Sequence, residues 1–506
     1  MIAGQFRLWL LATAGGVLAA LALPRWHWLW ALPLAAVVLV AVLQQVPPKK
    51  AFFFGFWAGF CHWLVAVSWV TEVMTRYGHL SGVLAFAALA AMSAILGAFW
   101  GLALWAAARV GERWGWAVLA LGLAAGEMAQ GLPPFNFPWN PLVASLVPWP
   151  TLLAPVAVLG ATTYGLLLRL VLFAAAFGVL AKDRWGFRWA ALGLGLAGAC
   201  GLAAPGFQAS GQAVKAFAVQ PNVPLEVRWE GENLQTIESW VWGLSRQAVE
   251  EGAQWVVWPE SAIPRLLERD PDYRAALVTF ARDHGVWLTL NSIGFGERES
   301  FYNSMYVLSP EGTVARYDKV HLVPFGEYVP LLGRMAYYRP LVREVGGFTP
   351  GREAHVLLGP QGLLGGAVCY EVAFPLHAAQ QVRKGSGILV TVTNDGWYGD
   401  SAAPYQHLAL AILRAAENRR FLVRAANTGI SAIIDPYGQV LQQLPLGQRG
   451  VIGASVIPGA GLTPAARFAP WLHLLPVSGF GLVILAQAWA SFASRRRMSR
   501  ARGAYA

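Results

Sequence analysis

Charge is what this sequence has least of. Charged side chains make up 13% of the 506 residues, about half the share that a soluble protein carries. That shortage excludes an ordinary water-soluble globule. A hydrophobic content of 56%, with 24 tryptophans, points instead to an integral membrane protein. Cysteine is scarce as well: three residues are too few for a disulfide framework or a cysteine-rich metal site. Cys61 and Cys200 sit inside apolar runs and read as packing residues. His284, His321, His355, His377 and His407 show no ligand spacing of the His-Glu-x-x-His kind, so nothing calls for a metal or another cofactor. A convincing cleavage site is missing after the first apolar run, which therefore reads as a membrane anchor.

Acidic residues are rare except in one region. Residues 214–458 hold 21 Lys+Arg and 23 Asp+Glu, a net of −2, whereas the rest of the chain holds 17 and 4, a net of +13. The basic excess flanks apolar segments, and nucleic acid is not needed to explain it.

Seven apolar segments precede the polar region: 6–23, 29–46, 52–73, 83–110, 116–132, 153–181 and 189–205. An eighth, 471–493, follows it and is closed by Arg495-Arg496-Arg497. Each is near the roughly 20 residues that cross a bilayer as a helix. Lys49-Lys50, Arg109 with Arg113, Lys182 with Arg184 and Arg188, and the C-terminal arginines all fall on one side of an eight-span plan. Positive-inside logic makes that side cytoplasmic and puts 214–458 outside, the periplasmic side of a bacterial inner membrane. The expected domains are a seven-span membrane domain over 1–212, an outer catalytic domain over 213–458, and a final span with a basic tail over 459–506.

The outer region alternates helical and strand-like stretches. Strands are expected at 214–220, 255–258, 286–293, 302–308, 314–320, 365–369, 388–393, 421–426 and 431–435, and helices at 233–251, 273–284, 376–383 and 405–420. Most of these strands are apolar on both faces, which argues for packed sheets covered by helices.

Three stretches end elements of this region and carry reactive groups. In Gly365-Gly366-Ala367-Val368-Cys369-Tyr370-Glu371, an apolar run stops at a cysteine just before a helical pattern. A strand-to-helix turn can expose the sulfur, and helix N–H groups favour the thiolate. In Val257-Trp258-Pro259-Glu260, a carboxylate follows a buried strand, a placement suited to proton transfer near neutral pH. In Tyr317-Asp318-Lys319-Val320-His321, a lysine lies in an apolar context, where an ammonium needs a partner carboxylate; Glu260 or Glu327 can supply one. Each also has a plainer reading, as a core cysteine, a helix-start glutamate and an edge-strand lysine.

Taken in this order, WPES, YDKVHLVPFGEYVP and VCYE resemble the nitrilase (carbon-nitrogen hydrolase) superfamily, whose members use a Glu–Lys–Cys triad. With spans on both sides of the domain, the whole chain is most similar to the apolipoprotein N-acyltransferase family. The resemblance implies a helical membrane domain of about eight spans joined to an αββα sandwich. It implies Cys369 as nucleophile, Glu260 as base and Lys319 as oxyanion stabiliser, with Glu327 and Glu371 orienting them and Tyr370 and Trp229 near the reaction centre. Asn394, Trp397, Phe137 and Trp139 are the matching candidates for substrate contact. In the membrane loop, Asn136 and Gln130 depart from the family's glycine and arginine. The implied partners are a phospholipid acyl donor, typically phosphatidylethanolamine, and as acceptor the S-diacylglyceryl cysteine of an apolipoprotein. The protein is expected to be a monomer in the bilayer. Alternatives are a membrane-tethered amidase that passes the acyl group to water, a transporter with a ligand-binding outer domain, and an inactive scaffold. Residues 324–342 mix prolines, glycines, aromatics and aliphatics; the plainer reading packs them inside the domain, and the sharper one makes them a lid at the bilayer surface, with Leu331, Leu332 and Met335 dipping toward acyl chains.

Overall fold

A computed structural model describes residues 2–225, 231–297, 300–324, 326–328 and 347–503. The chain forms two compact units: Met1–Leu146 with Leu159–Ala203 and Pro470–Ala506, and Val147–Val158 with Ala204–Ala469.

The first unit is helical: α1 Ile2–Leu21, α2 Ala31–Gln45, α3 Pro48–Ala66, α4 Val70–Arg76, α5 Gly82–Val110, α6 Glu112–Gln130, α7 Val156–Ala181, α8 Arg184–Leu202 and a last helix, Ala469–Gly503. Among the described residues, four of the eight expected spans appear as single helices long and apolar enough to cross a bilayer, and α3 with α4, bent by 55°, makes five if it is one span. Helix α2 is apolar but has only 15 residues. Helices α6 and α8 have 19 residues each and carry charges. Small residues let α3 and α5 approach closely: a Cβ on Gly55 would lie 2.6 Å from the Trp100 carbonyl, and one on Gly97 would lie 2.8 Å from Phe60 N. Glycines four apart on both helices (Gly55 and Gly59, Gly97 and Gly101) are how apolar helices pack where lipid is the solvent. Val83, Phe86, Ile95, Trp471, Leu482 and Trp489 are exposed on helix surfaces, as lipid-facing residues are.

The second unit is built on two six-stranded sheets. The strands are β1 Val214–Gln220, β2 Trp255–Val257, β3 Trp287–Phe295, β4 Phe301–Leu308, β5 Val314–Asp318, β6 Val356–Gly359, β7 Gly362–Val368, β8 Ile388–Thr393, β9 Leu422–Ala426, β10 Ser431–Ile434, β11 Val440–Leu444 and β12 Gly450–Val456. One sheet runs β12-β1-β2-β3-β4-β5, the other β11-β10-β9-β8-β7-β6. In each, three central strands are parallel and the outer ones antiparallel.

Period-two alternation decides the layers. Val214, Ala216, Ala218, Trp255 and Val257 face the second sheet, where they meet Leu364, Val368, Val390, Val392 and Val423. Their neighbours Phe217, Val219, Val256 and Trp258 face outward and are covered by helices Leu234–Glu250 and Pro271–His284, through Ile237, Val241 and Leu277. Helices Pro375–Arg383 and Ala403–Asn418 pack against the second sheet. The sheets come so close that a Cβ on Gly366 would lie 1.9 Å from Met305 Cε. The expected helices and strands are present with small shifts at their ends, and β6, β11 and β12 are additions: exposed and half-buried positions dilute their apolar pattern.

Candidate active site

The three reactive stretches all lie at strand ends. Glu260 follows β2, Lys319 follows β5, and Cys369 follows β7. Parallel strands in register bring such ends together: Val257 pairs with Thr289 in one sheet and Val368 with Val392 in the other.

Lys319 is 1% exposed, and its Nζ lies 2.9 and 3.0 Å from the two carboxylate oxygens of Glu327. Burial alone would lower its pKa; Glu327, then Glu260, then the Cys369 sulfur more than reverse that and hold the ammonium above the usual lysine range. The partner anticipated as Glu260 or Glu327 is thus Glu327 by direct contact, with Glu260 contributing through its field. The backbone N–H of Lys319 donates to Asn303 O at 2.9 Å, which continues the strand pairing past Asp318.

One side chain joins the two carboxylates. Asn303 Nδ2 donates to Glu260 Oε1 at 2.8 Å and to Glu327 Oε1 at 2.7 Å. Asn303 Oδ1 in turn accepts from Asn291 Nδ2 at 2.7 Å, so the amide cannot turn over without losing three bonds. The second Glu260 oxygen accepts from the backbone N–H of Asn394 at 3.0 Å. Both Asn291 and Asn303 lie on buried strands, and Asn303 shares the inward parity of Met305 and Val307. A polar residue on a buried face was the available signal for them, and the motif-led reading missed it.

Cys369 opens a short turn, Cys369–Ala373, ahead of helix Pro375–Arg383. Its backbone φ is +53°, in the region that favours glycine. The expected exposed sulfur with a favoured thiolate is corrected here: Cys369 is 6% exposed. Burial and the nearby Glu260 carboxylate push the thiol up, against the opposing pull of Lys319. The resting group is therefore a thiol whose proton has a carboxylate nearby to receive it.

Two further networks hold this turn. Glu371 is fully buried; its Oε1 accepts from Tyr317 OH at 2.8 Å, Val320 N at 2.6 Å and His321 N at 3.1 Å, and its Oε2 from Val368 N at 2.8 Å. It thus ties the lysine loop to the cysteine strand instead of touching the ammonium. Behind the turn, His407 Nε2 donates to the Cys369 carbonyl at 3.0 Å, and His407 Nδ1 lies 2.9 Å from Asp395 Oδ1. Asp395 Oδ2 accepts from Arg424 Nη2 at 2.7 Å. Burial alone would raise the Asp395 pKa; Arg424 and His407 outweigh it and hold the carboxyl down at about 2.

The remaining predicted residues are distributed as follows. Tyr370 is buried, edge-on to Phe374 at 5.4 Å. Asn394 is buried, and its Oδ1 accepts from Gly396 N at 3.1 Å, shaping the turn that carries Trp397, which is 43% exposed. Phe137 and Trp139 stack on each other at 5.9 Å within the helical unit. Trp229 and the segment 329–346, with Leu331, Leu332 and Met335, lie outside the described residues.

Residues 15–176 match the family of apolipoprotein N-acyltransferase N-terminal domains, and residues 215–460 match the carbon-nitrogen hydrolase family. An apolipoprotein N-acyltransferase from Geobacter metallireducens is 32% identical over 512 residues, spanning 97% of this chain and 96% of its own length. The protein of the same name from Azotobacter vinelandii is 34% identical over 521 residues, spanning 97% and 96%. Among solved structures, an amidase from Nesterenkonia sp. covers 50% of this chain and 93% of its own at 23% identity, with a TM-score of 0.38.

Proposed function

The chain belongs to the apolipoprotein N-acyltransferase family, and from that premise we propose that it acylates the N-terminal amine of S-diacylglyceryl apolipoproteins through a thioester on Cys369. Glu260 takes the thiol proton as the sulfur attacks an ester carbonyl of a phospholipid, with phosphatidylethanolamine as the donor. Lys319 and a backbone N–H in the turn after Cys369 hold the oxyanion. Collapse expels the lysophospholipid, which leaves with the proton from Glu260. The α-amine of the diacylglyceryl cysteine then loses a proton to Glu260 and attacks the thioester; the amide forms, and the thiol is restored. Glu327 keeps Lys319 charged and in place, Glu371 and Tyr370 fix the turn, and Trp229, Asn394, Trp397, Phe137 and Trp139 serve substrate contact.

The observation that carries this reading is the convergence of a buried thiol, a buried ammonium and two carboxylates joined by Asn303. Membership in the family and the apolar helices make this a membrane protein. We place it in the bacterial inner membrane as a monomer, with 1–212 and 459–506 in or beside the bilayer and 213–458 on the periplasmic side.

Intact mass of the protein purified from membranes tests the reading. A fatty acyl adduct on Cys369, released by neutral hydroxylamine and absent from Cys369→Ala, is the expected result. An adduct that persists in Cys369→Ala overturns it.

A further inference from the structure

The helical unit holds a second polar centre, among residues with no part in the thioester chemistry. Glu127 on α6 and Arg169 on α7 form an ion pair at 2.5 Å, with side chains 11% and 13% exposed. Glu127 Oε2 also accepts from Leu142 N at 2.9 Å. A buried ion pair between helices of a membrane unit is costly to keep and marks a functional position.

This pair lines a cavity of about 70 Å³ together with Trp63, Gln130 and Asn140. Of the 15 buried side-chain polar atoms without a hydrogen-bond partner among the described residues, five belong to these five residues. Three are acceptors: Glu127 Oε1, Gln130 Oε1 and Asn140 Oδ1. Two are donors: Trp63 Nε1 and Arg169 Nη1. Gln130, Asn140 and Trp63 are 2%, 7% and 3% exposed, so bulk water does not serve them. The Glu127 and Arg169 charges balance, which favours a ligand without net charge. Apart from His62, whose Nδ1 lies 3.3 Å from Gly16 O, the rest of the lining is apolar, including Leu23, Leu39, Leu172 and Phe173.

Three acceptors ask for a group with several N–H donors, two donors ask for an anion, and an apolar wall asks for hydrocarbon. We propose that this cavity is a binding site for a zwitterionic aminophospholipid headgroup, its primary ammonium on Glu127, Gln130 and Asn140 and its phosphodiester on Arg169 and Trp63. The space takes about five waters by volume, comparable to a phosphoethanolamine group. The site does not rest on the acyl-transfer reading, because acylation of Cys369 is measured separately.

The test is native mass spectrometry of the delipidated full chain carrying Cys369→Ala, incubated with mixed micelles of one phospholipid at a time. Phosphatidylethanolamine should be retained at least tenfold more than phosphatidylcholine, which keeps the charges and loses every N–H, and more than phosphatidylglycerol, which lacks the ammonium. Gln130→Met and Trp63→Phe, each near in shape and lacking one polar atom, should each reduce retention of phosphatidylethanolamine several-fold. Equal retention of the ethanolamine and choline lipids overturns the proposal, as does retention of neither, which leaves a cavity of water. Complete displacement by soluble phosphoethanolamine overturns the assignment to a lipid. Should one variant fail to fold, the other decides, because only a change in the cavity separates this site from donor binding near Cys369; unchanged retention in a folded variant overturns the proposal.

Discussion

His407 Nε2 donates to the backbone carbonyl of Cys369 at 3.0 Å, and both residues are buried. Cys369 sits at φ +53°, a conformation that an L-residue keeps only when its surroundings impose it. His407 is therefore a positioning residue for the sulfur. His407→Ala should slow acylation of Cys369 about 5- to 150-fold, the range given by a lost buried hydrogen bond of about 1–3 kcal/mol. His407→Gln, whose amide N–H can reach the same carbonyl, should recover most of the loss. Time-resolved intact mass of the acyl adduct measures both; equal loss in the two variants rules out the positioning role.

Asn303 should matter as much as the residues it joins. Asn303→Leu removes one buried donor from each of the Glu260 and Glu327 carboxylates. Acyl-adduct formation should fall at least tenfold, and a short-chain soluble ester should be affected as strongly as bilayer lipid, because the defect lies at the reacting groups. A rate within twofold of the parent would mean that the bridge is not needed.

Acid stability should report Asp395. Its carboxyl is held at about 2, from an ordinary 3.8. A depressed carboxylate contributes stability above its unfolded value and loses it as pH falls through its folded value, so the window runs from about pH 4 down to pH 2. The shift corresponds to about 2 kcal/mol. Asp395→Asn should melt well below the parent at neutral pH, because Arg424 is left buried without its counter-charge. The gap between the two melting temperatures should narrow from pH 4 to pH 2, and a constant gap would contradict the assignment.

Topology is directly measurable. Reporter fusions near Gly211 should read as outside the cytoplasm and fusions after Arg497 as inside. The reverse pattern would refute the placement of the catalytic unit.

Much of the catalytic unit was legible in the sequence because its strands are buried on both faces and its reactive groups end them. Glu260, Lys319 and Cys369 stood out as chemistry-bearing types in apolar settings, and the structure gathers them at one set of strand ends. What escaped was second-order: Asn303, Asn291 and His407 act through hydrogen bonds to partners 43, 12 and 38 residues away. Spacing along the chain carries no trace of such pairs. Burial of Cys369 escaped for the same reason, since a turn looks exposed until its tertiary cover is known. In the helical unit, apolar length located the helices, but the break after Ala66 and the charges of α6 and α8 keep hydropathy from fixing the number of spans.

Glu371 lies two residues beyond Cys369, yet three of its hydrogen bonds go to the segment on either side of Lys319. The turn of the proposed nucleophile thus carries the clasp that fixes the lysine, and it fastens the end of one sheet to the end of the other. Any sliding of the sheets must be taken up away from this end, which makes the reacting end the stationary point of the sandwich. The two halves of the reaction centre cannot be retuned separately: a one-residue insertion in the turn would move sulfur and ammonium together. A working variant of this site must therefore change the clasp and both of its ends at once.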